Sequence, residues 1–187
     1  MLGAVSFGRG SRRPTMYVLV GLPGTGKTTR ARELEAEHHA VRLSPDDWML
    51  PLFGESDAGG KRDVLEGRFV WLAQRLLRAG TDVVLDFGVW GKDERTALRV
   101  LAAECGGRCE LVHLHVDEAE QRRRIAERWE SAPHTTFPMT GDDLARAAAI
   151  FEAPDDGELA DGAIDPPPEH HPSWRDWAAE RWPTSDG

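Results

Sequence analysis

The sequence predicts an α/β fold, in which a parallel sheet is covered by helices. Short apolar runs alternate along the chain with longer segments of helical periodicity, which is the pattern of consecutive β-α-β units. The runs are continuously apolar, as expected for strands that are buried on both faces. With 187 residues, of which 40% are hydrophobic and 29% charged, the chain is long enough for one domain with a substantial core.

The first elements surround a glycine-rich turn. Residues 16–20 (MYVLV) form the first predicted strand, 28–38 a helix and 40–43 a short second strand. The sequence Ser-Pro-Asp-Asp at 44–47 then has the features of a helix start, with serine at the cap and proline at the first helical position.

The middle of the chain contains the strongest helix signal. Residues 63–79 repeat apolar side chains at helical spacing, and Gly80 stands where a helix C-terminus favours glycine. Residues 83–87 (VVLDF) form the third predicted strand, 92–105 the next helix and 110–116 the fourth strand. Strands that are separated by helices in this way predict right-handed crossover connections.

Two more helices are predicted before the acidic C-terminal part of the chain. A basic helix covers 118–129, a loop 133–138, and a helix runs from a capping sequence at Thr140 to Phe151. From 152 onward, ten acidic residues accompany two arginines, so most of the net charge of −9 lies there. Total charge therefore argues only weakly against a nucleic-acid partner, because such binding depends on local basic clusters.

Composition divides the chain into a flexible arm at 1–15, one domain at 16–155 and an acidic, proline-rich tail at 156–187. The tail holds three tryptophans whose spacing predicts a short helix that packs on the domain or on a partner: Trp174, Trp177 and Trp182.

Several classes of protein and site are excluded. No uncharged apolar stretch reaches the length of a membrane span, and 1–15 lacks the apolar segment of a signal peptide, so we expect a cytoplasmic protein. Cys105 and Cys109 lack the spacing and partners of a zinc site and are expected to be structural thiols. His170 and His171 also lack further spaced ligands.

The glycine-rich turn carries the most specific motif. It matches G-x-x-x-x-G-K-[ST], the phosphate-binding P-loop, between a predicted strand and helix: Gly21, Leu22, Pro23, Gly24, Thr25, Gly26, Lys27 and Thr28. Glycine conformations let backbone N–H groups surround phosphate oxygens at the positive end of a helix. We expect this loop and Thr29 to bind the phosphates of ATP, with Lys27 on the β- and γ-phosphates and Thr28 on Mg²⁺.

The loop alone does not define the reaction, since kinases, GTPases and motor ATPases share it. The sequence has no N-K-x-D signature of guanine binding and no acidic pair of the motor type after the third strand. A chain of this size therefore favours a kinase.

Carboxylates follow two predicted strands, at the sheet edge where α/β folds bind ligands. Asp46 is the candidate general base for an attacking hydroxyl, and Asp47 a candidate substrate contact. Asp86 ends the third strand and is a candidate Mg²⁺ ligand. Each has a structural alternative, because the first two complete a helix start and Asp86 suits a cap.

Basic and aromatic side chains complete the candidate site. Arg124 and Arg128 are four residues apart, so they share a helix face that suits the charge of a transferring phosphoryl group; a solvated face paired with acidic neighbours is the alternative. Trp48, Trp90 and Arg95 are the remaining candidates for substrate contacts, with a core position as the alternative for the two tryptophans.

With these residues identified, the chain resembles the P-loop kinase group that contains polynucleotide kinases, zeta toxins and chloramphenicol phosphotransferase. More narrowly, it is similar to small bacterial ATP-binding proteins of the AAA kinase type. Beyond the P-loop, the resemblance rests on four segments: 42–48 (RLSPDDW), 83–90 (VVLDFGVW) with Arg95 following, 124–128 (RIAER) and 151–154 (FEAP).

The resemblance implies a three-layer P-loop NTPase fold with four or five parallel strands in the order 2-3-1-4-5. It makes 118–140 a lid that carries Arg124 and Arg128, and by position it puts the general base of the polynucleotide kinases on Asp46. Those kinases have a phosphate-binding arginine three residues later, where this chain has Met49. The apolar surroundings of Met49 instead resemble the acceptor sites of small-molecule phosphotransferases.

The sequence therefore predicts an ATP- and Mg²⁺-dependent kinase whose acceptor is a hydroxyl of a small molecule, such as a nucleoside, nucleotide-sugar or antibiotic. A polynucleotide or RNA-end 5′-hydroxyl kinase is the alternative, in which Arg9, Arg12 and Arg13 contact the nucleic-acid backbone. An ATP-dependent switch whose tail binds a partner is an alternative of another class.

Overall fold

A parallel sheet forms the centre of the computed structural model, which describes residues 12–131 and 139–186. Its strands are β1 (Thr15–Val20), β2 (Val41–Leu43), β3 (Val83–Leu85) and β4 (Arg108–His113). They lie in the order β2-β3-β1-β4, and every pairing is parallel. The predicted fold and the order 2-3-1-4 are confirmed; the described ranges contain four strands and no fifth.

Helices cover both faces of this sheet. In the described part of the chain they are α1 (Lys27–His38), α2 (Pro45–Phe53), α3 (Lys61–Arg78), α4 (Lys92–Glu104), α5 (Glu118–Ser131), α6 (Gly141–Ile150), α7 (Asp156–Leu159) and α8 (Trp174–Arg181). Of these, only α7 has no counterpart among the predicted elements. The loop predicted at 133–138 lies outside the described residues.

The central strand β1 explains why the sheet is buried on both sides. All six of its residues are buried, and from Met16 onward they alternate between two clusters. Met16, Val18 and Val20 join the larger core with α3, α4 and α8, whereas Tyr17 and Leu19 pack against α1. The continuous apolar run therefore reflects two cores that share one strand.

The fourth strand ends earlier than predicted. It stops at His113, which pairs with Val20, the last residue of β1. The N–H of Leu114 still donates to the carbonyl of Val20 at 2.8 Å, but β1 then turns into the P-loop and offers no further partner. The length of β4 is thus set by its neighbour.

The first and last described residues pack against the sheet and its helices. Trp182 is fully buried in the larger core, and α8 lies on α4, in agreement with the predicted tail helix. At the other end, Arg12 forms an ion pair with Asp82, which lies just before β3, and Thr15, the last residue of the predicted arm, begins β1; residues 1–11 of the arm lie outside the described residues. Within the described ranges, no helix combines the length and the apolar character of a membrane span.

The contact between the tail and α3 depends on a glycine. A Cβ atom on Gly67 would lie 2.2 Å from the carbonyl oxygen of Pro183. We expect Gly67→Ala to lower the free energy of unfolding by about 1–3 kcal/mol, because a backbone group next to buried Trp182 has to move. Urea unfolding measures this, with Gly141→Ala as control, since a Cβ there meets open space. Equal stability of the two variants would contradict the prediction.

Candidate active site

The loop between β1 and α1 has the conformation that phosphate binding requires. Gly24 and Gly26 have φ angles of 81° and 95°, in the left-handed region that residues with side chains avoid. The turn is closed by Thr25, whose hydroxyl donates to the carbonyl of Leu22 at 2.8 Å. Helix α1 begins at Lys27 without a side-chain cap, so its first N–H groups are open to an anion.

Lys27 lies across this loop, near three of the other candidate residues. Its Nζ donates to the carbonyls of Gly21 and Leu22, at 2.8 Å each. Burial lowers the pKa of Lys27 to about 8; the nearby Asp86 and Asp46 oppose this shift, and Arg128 adds to it. The structure therefore brings together side chains that follow three different strands.

Thr28 and Asp86 present adjacent oxygen atoms. The hydroxyl of Thr28 donates to Asp86 Oδ1 at 3.3 Å, and Arg42 Nη1 donates to Asp86 Oδ2 at 2.7 Å. Only 2% of the Asp86 side chain is exposed, so burial raises its pKa, while Arg42 acts in the opposite direction.

A hydroxyl and a carboxylate are the hard oxygen donors that Mg²⁺ prefers, and they fit an ion that takes its other ligands from phosphates and water. The described ranges contain no group of three or more His, Cys, Asp or Glu that would hold a metal alone. Thr28 and Asp86 are therefore the residues of this site that would hold Mg²⁺.

Asp46 and Asp47 begin α2 but face different partners. Asp46, whose side chain is 40% exposed, accepts a hydrogen bond from Arg62 Nη1 at 2.8 Å. Asp47 forms an ion pair with Arg42. The predicted helix start is present with Pro45 in its first turn, although the Ser44 side chain makes no capping hydrogen bond.

Helix α5 packs directly on the P-loop. Gln121 Nε2 donates to the carbonyl of Pro23 at 2.7 Å, and Ile125 lies over Gly24. This contact puts the basic helix at the phosphate end of the site.

The two predicted arginines of this helix border the loop. Arg124 Nη1 lies 3.5 Å from the position that a Cβ on Gly26 would occupy, and its Nε donates to Glu120 at 2.6 Å. Arg128 is exposed and close enough to Lys27 to affect its pKa. The alternative was a solvated helix face whose arginines pair with acidic neighbours. It holds in part, since Glu120 does pair with Arg124.

The close approach of α5 makes Gly24 sensitive to substitution. A Cβ there would lie 2.9 Å from Ile125 Cγ1 and 3.1 Å from the carbonyl of Gln121, at a φ of +81°. We expect Gly24→Ala to weaken ATP binding about tenfold, because a left-handed residue with a Cβ costs about 1–2 kcal/mol. Calorimetric titration with ATP and Mg²⁺ measures the loss. An unchanged affinity would show that the loop tolerates the side chain.

The two candidate tryptophans, which follow Asp46 and Asp86 in the chain, lie in different settings. Trp48 is 52% exposed and packs edge-on against Phe69, with ring centroids 5.7 Å apart. The indole of Trp90 lies across Gly88, and its Nε1 is buried without a hydrogen-bond partner.

Arg95 is a correction to the sequence analysis. Its side chain is completely buried, its Nε and Nη2 donate to Glu158 at 2.8 and 3.0 Å, and its Nη1 donates to the carbonyls of Trp90 and Glu152. Its place after the segment 83–90 that carries the family resemblance made it a candidate substrate contact, but α4 directs the guanidinium into the protein. Arg95 therefore joins α4 to the chain beyond α6.

Sequence analysis missed two arginines that complete the site, Arg42 and Arg62. Arg42 links Asp86 to Asp47, and Arg62 links Asp46 to the buried Glu66. For Arg42, the one local signal was its charge within the otherwise apolar strand β2. Arg62 gave no signal, since it starts an ordinary amphipathic helix.

The described basic residues near the N-terminus, Arg12 and Arg13, precede β1 and lie far from the P-loop in the fold. Arg12 pairs with Asp82, which precedes β3, whereas the P-loop follows the carboxyl end of β1. Because β1 and β3 are parallel, these positions are at opposite edges of the sheet. Arg9 lies outside the described residues.

Solved structures with the same fold include three with different roles. Kti12 from Chaetomium thermophilum, in complex with ADP-AlF3, is 20% identical with a TM-score of 0.58 over 75% of this chain and 81% of that chain. A sugar kinase from Janibacter sp. is 18% identical with a TM-score of 0.55, over 92% and 96%. A chain of the Pnkp1/Rnl/Hen1 RNA repair complex is 19% identical with a TM-score of 0.58, over 82% of this chain and 46% of that one.

No curated protein matches the chain. A family model for an AAA domain, AAA_33, matches residues 16–154, which include the P-loop, the three candidate carboxylates and the arginine helix. The match spans most of the 187 residues, and the fold agrees with it. The chain therefore belongs to the AAA_33 family of AAA domains.

Proposed function

We propose that the protein is an ATP- and Mg²⁺-dependent kinase that transfers the γ-phosphoryl group to a hydroxyl of a small molecule, such as a nucleoside, nucleotide-sugar or antibiotic. One observation carries the proposal: a partly exposed carboxylate, Asp46, and an arginine, Arg128, are both close enough to the P-loop lysine, Lys27, to affect its pKa. A phosphate-binding lysine with a carboxylate and an arginine nearby supplies the groups that transfer between a nucleotide and a hydroxyl needs.

The phosphates are bound by the loop N–H groups and by Lys27. Mg²⁺, held by Thr28 and Asp86, supplies positive charge to the phosphate oxygens when it is bound. Arg124 and Arg128 stabilise the charge that spreads over the transferring group.

On the acceptor side, Asp46 accepts the proton of the attacking hydroxyl. The acceptor oxygen forms a bond to the γ-phosphorus as the bond to the ADP oxygen breaks, and the proton passes to the carboxylate. Trp48, which follows Asp46 closely in the chain, and Trp90, which follows Asp86, supply an apolar wall for the acceptor. The fold shared with a sugar kinase is consistent with a small acceptor.

An acceptor screen tests the proposal. Wild-type protein is incubated with γ-labelled ATP, Mg²⁺ and pools of nucleosides, nucleotide-sugars, aminoglycosides and other hydroxyl-bearing antibiotics, together with short RNA and DNA ends. We expect label to transfer to a small acceptor, and not with the Lys27→Ala variant. ATP binding without transfer to any acceptor would favour the nucleotide-dependent switch.

A polynucleotide 5′-hydroxyl kinase is the second candidate, favoured by the fold shared with the RNA repair chain. The observations against it are the ion pair that engages Arg12 at the opposite sheet edge and the buried Met49 in place of a phosphate-binding arginine. Transfer of label to oligonucleotide ends, falling steeply with salt, would select this candidate instead.

A further inference from the structure

We propose that Arg62 is a positioning residue for the general base: it holds one carboxylate oxygen of Asp46 so that the other faces the acceptor hydroxyl. The inference rests on the proposed function, and on contacts that connect α2 to α3. The sequence and the comparisons assign Arg62 no role.

The guanidinium of Arg62 is fixed at two points. Its Nη1 donates to Asp46 Oδ1 at 2.8 Å, and its Nε donates to Glu66 Oε1 at 3.0 Å. Nη1 also lies 3.4 Å from the carbonyl of Ser56 in the loop between the helices. A planar group that is bonded on two edges cannot rotate, so it fixes the orientation of the carboxylate that it contacts.

Glu66 provides the rigid end of this connection. It is 5% exposed, and burial raises its pKa to about 7, while Arg62 acts in the opposite direction. A buried carboxylate needs a hydrogen-bonded partner, and Arg62 is the residue that donates to it. Because Glu66 is inside the protein and Asp46 is partly exposed, Arg62 and Glu66 together link the Asp46 carboxylate to the rigid core.

The first turns of α3 are themselves held by the C-terminal tail. Thr184 Oγ1 donates to the carbonyl of Val64 at 3.0 Å, and Arg181 donates to Asp63 at 3.2 Å and to Glu94 at 2.6 Å. The contacts to Asp63 and Val64 directly follow Arg62 on the helix. The tail lies outside the family match at 16–154, yet it supports the helix that carries the positioning residue.

If the salt bridge between Arg62 and Asp46 only joined α3 to α2, we would expect a different result. It would affect the free energy of unfolding and leave the kcat of the folded enzyme unchanged, whatever residue stands at position 46. A positioning residue acts through Asp46, so its effect on turnover must vanish once Asp46 can no longer accept a proton.

A double-mutant cycle distinguishes these cases. We expect Arg62→Gln to lower kcat about 10- to 100-fold with the KM for ATP unchanged, because a displaced catalytic group costs up to about 10²-fold. Arg62→Lys should restore part of this loss, since an ammonium keeps the charge but cannot span both carboxylates. In the Asp46→Asn background, Arg62→Gln should change kcat less than about twofold. Arg75→Gln, at an exposed arginine on the same helix, is the matched control.

Multiplicative losses in the double variant would overturn the positioning role. Crystal structures of wild type and Arg62→Gln give a readout without activity: the Asp46 carboxylate should leave its wild-type orientation, and an unmoved carboxylate would overturn the inference. If wild type phosphorylates no acceptor, the proposed function fails, whereas the crystal comparison still decides the role of Arg62.

Discussion

Asp46→Asn is expected to lower phosphoryl transfer by about 10²- to 10⁴-fold, the range that general-base catalysis contributes. The amide cannot accept the proton of the acceptor hydroxyl at neutral pH. It keeps the size of the carboxylate, and its oxygen still accepts a hydrogen bond from Arg62, so α2 should remain in place. ATP affinity should therefore change little, and the loss should appear in kcat.

The neighbouring residue supplies the control. Asp47 has the same side chain and lies in the same helical turn, but it pairs with Arg42. Turnover with the acceptor found in the screen, and calorimetric titration with ATP, are measured for Asp46→Asn and Asp47→Asn. If Asp46→Asn lost ATP affinity and turnover equally, or if Asp47→Asn had the larger effect on kcat, Asp46 would not be the base.

The nucleotide end of the site could be predicted from the sequence because its determinants are local. The P-loop places its glycines, lysine and threonine within eight residues, and the strand before it and the helix after it lie in the same stretch. The positions of Asp46 and Asp86 followed from one rule, that parallel strands end at a common edge. Both predictions depend on short-range pattern and on a general property of sheets.

The partners of these carboxylates could not be predicted, because they are set by tertiary packing. Arg42 and Asp86 are 44 positions apart, and no local pattern relates them. Arg62 reaches Asp46 only because α3 packs against α2. Residue type and spacing identify a charged group but do not reveal which charge it meets.

Arg95 shows how the same limit produces an error. In sequence it follows a candidate substrate segment by five positions, whereas in the structure it bonds to Glu158, 63 positions away. The sequence gives its place on α4, but which face of α4 is covered depends on the path of the chain after α6. From the sequence alone, an arginine in a buried ion pair cannot be distinguished from one that contacts a substrate, because the path of the chain after α6 decides between them.

Arg95→Ala is accordingly expected to destabilise the protein rather than to affect substrate binding. The side chains of Arg95 and Glu158 are 0% and 4% exposed. Removing one partner of a buried ion pair costs about 3–5 kcal/mol, because the remaining charge stays buried without compensation. The carbonyls of Trp90 and Glu152 also lose a donor. The free energy of unfolding is measured in urea without nucleotide.

Two further variants test the cause of that loss. Arg122→Ala breaks a pair with Glu118 that is exposed on both sides, so it should cost less than about 1 kcal/mol. Arg95→Ala with Glu158→Ala removes both charges and should recover part of the stability that Arg95→Ala loses. If Arg95→Ala kept full stability but raised the KM for the acceptor, the substrate contact inferred from sequence would be correct, and the buried pair would not describe the protein in solution.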